Sequence, residues 1–202
     1  SQPINEVKLL DTQQYVRLYR ETLRNDGFSA EEAAERVGSD DVYTDWDERL
    51  MRQAAFTDAS LSFSGGTEDV SARVSLTYSD QETISKGNDL QKYGLRSRID
   101  YAFGDLLEVN LNTGITGIEK TSLGGFSNVP LPPNVSPYDE DGSFNDASIF
   151  QDRPNPLAVL EQNDNNHNSL ATTNSLRLST EPVENLKVRV LGGIDYYQNR
   201  NF

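Results

Sequence analysis

The sequence predicts an all-β membrane protein. It reads as a partial antiparallel transmembrane β-barrel of about six strands in three hairpins, behind an N-terminal helical segment. Three observations lead there. Six runs alternate apolar and polar residues with a period of two, the mark of strands with one greasy and one polar face. The links between runs are alternately tight and long, like the periplasmic turns and external loops of outer-membrane barrels. Rings on the apolar set stand at run ends with smaller aliphatics between them, as interfacial girdles require. The first observation suits a soluble sandwich equally well, with the greasy face turned inward. The other two favour lipid, because a sandwich core has no reason to move its rings to strand ends.

Residues 1–56 read as helical. Asp11 can cap a segment whose Tyr15, Leu18, Tyr19 and Leu23 share a stripe and which ends near Gly27. Ser29 with Glu32 three residues on is a capping-box spacing, opening a short helix that stops at Gly38. Thr44 and Asp47 mark a third start, carrying Trp46, Leu50 and Met51. The expected division is 1–56 as a small helical subdomain or loop packed on something else, and 57–202 as partial barrel.

After Phe56 the period changes to two. Ala59, Leu61 and Phe63 alternate with Ser60, Ser62 and Ser64, and Gly65 to Asp69 turns the chain. The second run, Val70 to Tyr78, sets Val, Ala, Val, Leu and Tyr against Ser, Arg, Ser and Thr. A longer loop over Glu82 to Leu90 follows. The third run alternates Tyr93, Leu95, Ile99, Tyr101 and Phe103 against Lys92, Arg96, Arg98 and Asp100. Gly104-Asp105 is a tight turn into the fourth, where Leu107, Val109, Leu111 and Ile115 oppose Glu108, Asn110, Asn112 and Thr116. Residues 120–166 form a long polar external loop holding most of the prolines. Leu170, Leu176 and Leu178 mark a fifth strand that Thr172 and Asn174 weaken on the same face. Glu181 to Asn185 turns into the sixth, with Leu186, Val188, Val190, Ile194 and Tyr196 against Lys187, Arg189 and Asp195. With the tight turns periplasmic, Phe63, Tyr101 and Phe103 fall at the inner lipid interface and Tyr78, Tyr93 and Tyr196 at the outer one. Arg73, Arg96, Arg98, Arg177 and Arg189 then face the lumen. Positions near Asn88 and Asp141 point outside; those near Asp69, Asp105 and Asn185 point to the periplasm.

Composition narrows the classes further. The chain has 202 residues, begins at Ser1 and carries Met51 as its only Met, which reads as processed or partial sequence. It shows no positively charged, apolar-centred leader. No stretch approaches the roughly 18 apolar residues of a membrane helix. Cysteine is absent, so no disulfide or thiolate metal site holds the fold. The net charge of −14 argues against a nucleic-acid partner. That charge and a mean hydropathy of −0.64 sit easily with a barrel whose lumen face and loops are polar.

Several stretches resemble the SusC/RagA class of TonB-dependent outer-membrane transporters. In order they are Leu9 to Tyr15 (LLDTQQY), Thr44 to Glu48 (TDWDE), Leu61 to Gly66 (LSFSGG), Tyr78 to Glu82 (YSDQE), Tyr93 to Arg96 (YGLR) and Asn155 to Ala158 (NPLA) after an Asp-Gly turn. Each is weak alone; their order and spacing span nearly the whole chain. The family usually has Gly where Thr83 stands, which bears only on the conformation of that loop. The resemblance implies a plugged barrel of roughly 22 strands. This chain would be an early part of its wall, with the plug, the TonB-contacting segment and a first strand upstream of Ser1, which makes 1–56 an N-terminal helical external loop. It also implies the bacterial outer membrane as location, TonB-driven import of oligosaccharide or peptide, and a SusD-like surface lipoprotein as partner.

Catalytic chemistry is hard to assemble, and no enzyme activity and no cofactor are expected. His167 is the only histidine and there is no cysteine, which nearly excludes the common nucleophile–base pairs. A solvated loop residue is the plain account of His167. No metal site is assigned; Asp139 and Asp141, within Asp139-Glu140-Asp141-Gly142, offer hard oxygens of the kind calcium takes but lack the spacing and closing Glu of an EF-hand. Phe126, Tyr138, Phe144 and Phe150 on the long loop could meet a substrate or partner, or pack on the loop itself. The lumen arginines suit acidic groups of a plug better than cargo. An energised importer thus stands beside two alternatives: a passive porin or structural barrel, and a soluble β-sandwich binding module.

Overall fold

The computed structural model describes residues 9–123, 131–145 and 154–201. The chain forms two compact units. One comprises residues 1–54, 83–87 and 123–163, and the other 55–82, 88–122 and 164–202.

The first unit is helical. Helices α1 (Thr12–Asn25) and α2 (Ala30–Val37) both open with a reciprocal capping box. Asp11 accepts the Gln14 backbone N–H at 2.8 Å while the Gln14 amide oxygen accepts the Asp11 N–H. Ser29 and Glu32 repeat the exchange, as their spacing predicts. Val16, Leu23, Ala33 and Val37 bury against one another, flanked by Tyr15, Tyr19 and Phe28. The expected stripe is therefore shifted: Val16 is 2% exposed and Leu18 43%. Both positions lie within one helical turn of Tyr15 and Tyr19, so the 3.6 period alone did not separate them.

Helix α3 (Trp46–Leu50) is capped by Asp45, whose carboxylate accepts the Glu48 N–H, and not by Thr44. Thr44 is instead buried, its hydroxyl donating to the Val135 carbonyl at 2.8 Å and its N–H to the Pro133 carbonyl at 2.7 Å. A further helix, α4 (Pro156–Gln162), stands inside the long loop. Asn155 caps it and proline occupies its first turn, a start signal that sequence reading can recognise. Trp46, Leu50 and Leu157 form the second core of this unit.

The second unit is one antiparallel sheet in chain order, β1 (Phe56–Gly66), β2 (Val70–Glu82), β3 (Asn88–Phe103), β4 (Leu107–Ser122), β5 (Asn166–Val183) and β6 (Leu186–Asn201). The six predicted strands are all present, longer than their alternating stretches because pairing continues past the pattern. Links 67–69, 104–106 and 184–185 are tight, 83–87 is longer, and 123–165 is very long. Asn185 turns the last hairpin in the left-handed region at φ 69°, tolerable for Asn, and the ladder slips between Thr180 and Val183. No described helix is long and apolar enough to cross a membrane.

Candidate functional site

The candidate site is the sheet itself, and its chemistry follows from register. Leu61 pairs with Leu76, Leu76 with Leu95, and Leu95 with Ile115. Ile99 pairs with Leu111 and Leu111 with Leu176. Side chains opposite one another share a face, so the apolar sets of the six strands fall on one side of the sheet. That surface is open: Leu76 is 46% and Ile194 76% exposed. It is far more apolar area than a surface in water normally presents as one patch.

Rings bracket this face. Tyr78 and Tyr93 pair directly, with centroids 5.4 Å apart. Their hydroxyls donate along their own strands, Tyr78 to Asp80 at 3.2 Å and Tyr93 to Gln91 at 3.0 Å. Towards the opposite end of β3, Tyr101 and Phe103 stack edge-on at 4.1 Å. Tyr196 pairs with Thr172, and Phe63 with Val74. Phe63 is thus four residues further along its strand than the Val70–Tyr101 rung; in a closed barrel the strand tilt sets its height. Midway between the ring rows the face turns polar, where Ser97 pairs with Thr113 and Thr113 with Asn174.

The other face is hydrophilic. Ser62 and Ser75 share a hydrogen bond of 2.8 Å across β1 and β2. Arg73 pairs with Arg98, Ser75 with Arg96, and Asn110 with Arg177; Arg189 lies opposite Ser179. All five arginines named from sequence therefore occupy one face. Arg98 Nε donates to both oxygens of Asp100, at 3.1 and 2.9 Å. Asp100 also accepts from Asn110 at 2.7 Å and from the Ser71 hydroxyl at 3.3 Å. A trough of about 460 Å³ runs along this face beside Arg73, Arg96 and Gly114 towards Gly193 and Asp195.

The loop residues picked from sequence divide. Phe126 and Phe150 lie outside the described residues. Tyr138 and Phe144 form an isolated bridge, their rings 5.1 Å apart, and both lean on the Trp46–Leu50–Leu157 core. The Tyr138 hydroxyl donates to Glu161, and burial with that carboxylate raises its pKa. Asp139 and Asp141 direct their carboxylates at Ser143, whose hydroxyl donates to Asp141 at 2.7 Å and to Asp139 at 3.5 Å. The Ser143 hydroxyl and N–H hold the Asp141 carboxyl below its ordinary range. His167 bonds Asn201 on the neighbouring strand.

Sequence reading missed the strap at 131–137. Its carbonyls accept from Trp46 Nε1 (to Pro132, 3.0 Å), from Thr12 and from Thr44, while Asn134 donates to the carbonyls of Val37 and Ser39. Buried Asn155 donates to the Pro137 carbonyl at 2.7 Å. Asn155 apart, which lies 18 residues from Pro137, these partners are 86 to 121 residues apart along the chain, so no local pattern announces them.

No protein-family model matches the chain. It is 33% identical over 125 residues to the TonB-dependent receptor P26 of Formosa agariphila, covering 60% of this chain and 13% of that protein. It is 26% identical over 152 residues to the TonB-dependent receptor SusC of Bacteroides thetaiotaomicron, covering 62% and 15%. In structure it matches the RagAB peptide transporter with a TM-score of 0.69 at 15% identity, over 96% of this chain and 26% of that one.

The chain is SusC/RagA-like. It is similar to the β-barrel wall of TonB-dependent receptors, and its place is the bacterial outer membrane. It spans about a seventh of the length of the curated relatives it matches. Those relatives are receptors and transporters by name, not enzymes. The open apolar face of the SusC/RagA-like chain now has its physical reason: it is the surface of a membrane wall.

Proposed function

We propose that this chain supplies wall and external loops to an energised importer of bulky nutrients, glycan or peptide in class. One observation supports the reading best: a six-stranded sheet with one mainly apolar face and one polar face, its apolar face bracketed by aromatic rows. The apolar face meets lipid, with Tyr78, Tyr93 and Tyr196 at the outer interface and Phe63, Tyr101 and Phe103 at the inner one. The polar face, with Arg73, Arg96, Arg98, Arg177 and Arg189, lines the lumen. Residues 1–56 and the 120–166 loop stand outside the cell, where Phe126 and Phe150 serve contact with cargo or a SusD-like lipoprotein, while Tyr138 and Phe144 pack on the loop's own core. Energy arrives from the TonB complex through a plug domain elsewhere in the full-length protein.

The test is uptake of labelled oligosaccharides and peptides by cells carrying the full-length protein, with and without TonB. Uptake of a bulky cargo should depend on TonB, and a surface lipoprotein should co-purify. Uptake that continues without TonB would hand the function to a passive porin. Deleting 124–162 is a poor probe of the loop, because the strap at 131–137 also holds α1 to α3 together.

A further inference from the structure

Resting on the reading of the polar face as lumen wall, we propose that the trough beside Arg73 and Arg96 binds carboxylate groups of the transported cargo. The importer thereby selects carboxylate-bearing substrates.

The first support is an arrangement that sheets avoid. Arg73 stands directly opposite Arg98, and Arg96 is on the same strand face two residues away. Like charges in direct cross-strand pairs repel. Only Arg98 has an answer, since Asp100 engages it and is itself occupied by Asn110 and Ser71. Among the described residues Arg73 and Arg96 have no carboxylate partner. Two guanidinium forks, each able to take a carboxylate through paired N–H donors, therefore line one trough without one.

The second support is space. Gly114 lies opposite Arg96, and a Cβ there would come within 2.7 Å of Thr173 Oγ1. Gly193, opposite Ser175, would bring one within 3.2 Å of the Asn174 carbonyl. The missing side chains leave the trough open beside the arginines. The third support is charge segregation. Mid-strand, the polar face carries Arg73, Arg96, Arg98 and Arg177 against Asp100 and Asp195, in a chain whose net charge is −14. Cationic side chains along a conduit select anions.

Asp195 separates two sources of the same chemistry. It shares a row with Arg96 through Gly114 and Thr173, three strand spacings away, or about 14 Å. A peptide can place an ammonium there and a carboxylate at the arginines, whereas a polyuronate can use only the arginines.

The experiment titrates purified full-length protein with four probes: a glutamate-rich peptide, its fully amidated counterpart, oligogalacturonate and its methyl ester. At least one acidic probe should bind about tenfold or more tightly than its neutral counterpart, and Arg73→Gln/Arg96→Gln should abolish the preference. Asp195→Asn should then weaken the peptide and leave the uronate unchanged or tighter. No preference in the parent, or a preference that survives in the double variant, overturns the proposal. So does a double variant that changes only thermal stability, which would assign the arginines to a resident acidic segment. A fluorophore on Leu76→Cys should be quenched by nitroxide-labelled lipid and one on Ser75→Cys spared. The reverse order would sink the lumen reading itself, separately from the trough.

Discussion

Trp46 and Leu76 are both large apolar side chains, yet Trp46 is 5% exposed and Leu76 46%. The difference is between two ways of satisfying one physical demand. The helical unit removes apolar surface from water by packing it on itself, around Val16 and Ala33 and around Trp46, Leu50 and Leu157. It secures its irregular backbone with side-chain donors, as a compact unit in water must. The sheet satisfies its backbone through its ladders, the outer edges of β1 and β6 apart, and leaves its apolar face open. Such a face is stable where the surrounding solvent is itself apolar. One chain therefore holds two environments, and hydrophobicity means inside in the first and outside in the second.

Substitution in the helical unit should give the largest effect. Trp46→Ala leaves a cavity beside Leu50 and Leu157 and removes the donor to the Pro132 carbonyl. A cost of about 3–5 kcal/mol is expected. In the full-length protein, hydrogen exchange should rise over α3 and 131–137 while the heat-modifiable folded barrel persists. If the sheet amides lose protection to the same degree, the two regions do not hold themselves together by separate means.

On the sheet, neighbouring residues should behave oppositely. Leu76→Arg places a cation near the middle of the apolar face and should cost about 2–4 kcal/mol of folded barrel. Ser75→Arg, one residue away on the polar face, should be tolerated. The readout is the fraction of heat-modifiable protein recovered from outer membranes. Equal tolerance would mean that neither face meets lipid, erasing the contrast with Trp46.

The sheet was the legible half of this chain because its signals are local. A period of two, a tight turn and a ring at a run end all lie within a dozen residues, and the register of six strands followed them except for the slip between Thr180 and Val183. The capping boxes at Asp11 and Ser29 are local too, and both formed. What could not be read was whatever depends on distant partners. The strap at 131–137 looks like proline-rich loop until Trp46, Thr12 and Thr44 are seen donating to its carbonyls. Tyr138 and Phe144 looked free for the same reason. Helix α4 was legible in principle, since Asn155-Pro156 is a start signal, but its seven residues carry little periodicity. In the trough, sequence supplied the arginines, and register supplied the fact that Arg73 faces Arg98.

The smallest expected effect concerns the pH dependence of α2, in the helical unit. The Glu32 carboxylate accepts the Ser29 backbone N–H at 2.8 Å, and this bond, with the Ser29 side chain and then Arg36, holds its pKa below the ordinary glutamate value. A depressed folded-state pKa means that the ionised form favours folding. The stabilisation is fully present above the unfolded value of about 4.3 and is lost as pH falls through the lower folded value. Protection of α2 amides, corrected for intrinsic exchange, should therefore hold from about pH 7 to about pH 5 and decline below that. In Glu32→Gln the amide keeps the geometry of the capping box but cannot titrate, so this component of the decline should vanish. An undiminished decline in Glu32→Gln would show that some other group sets the acid sensitivity of α2.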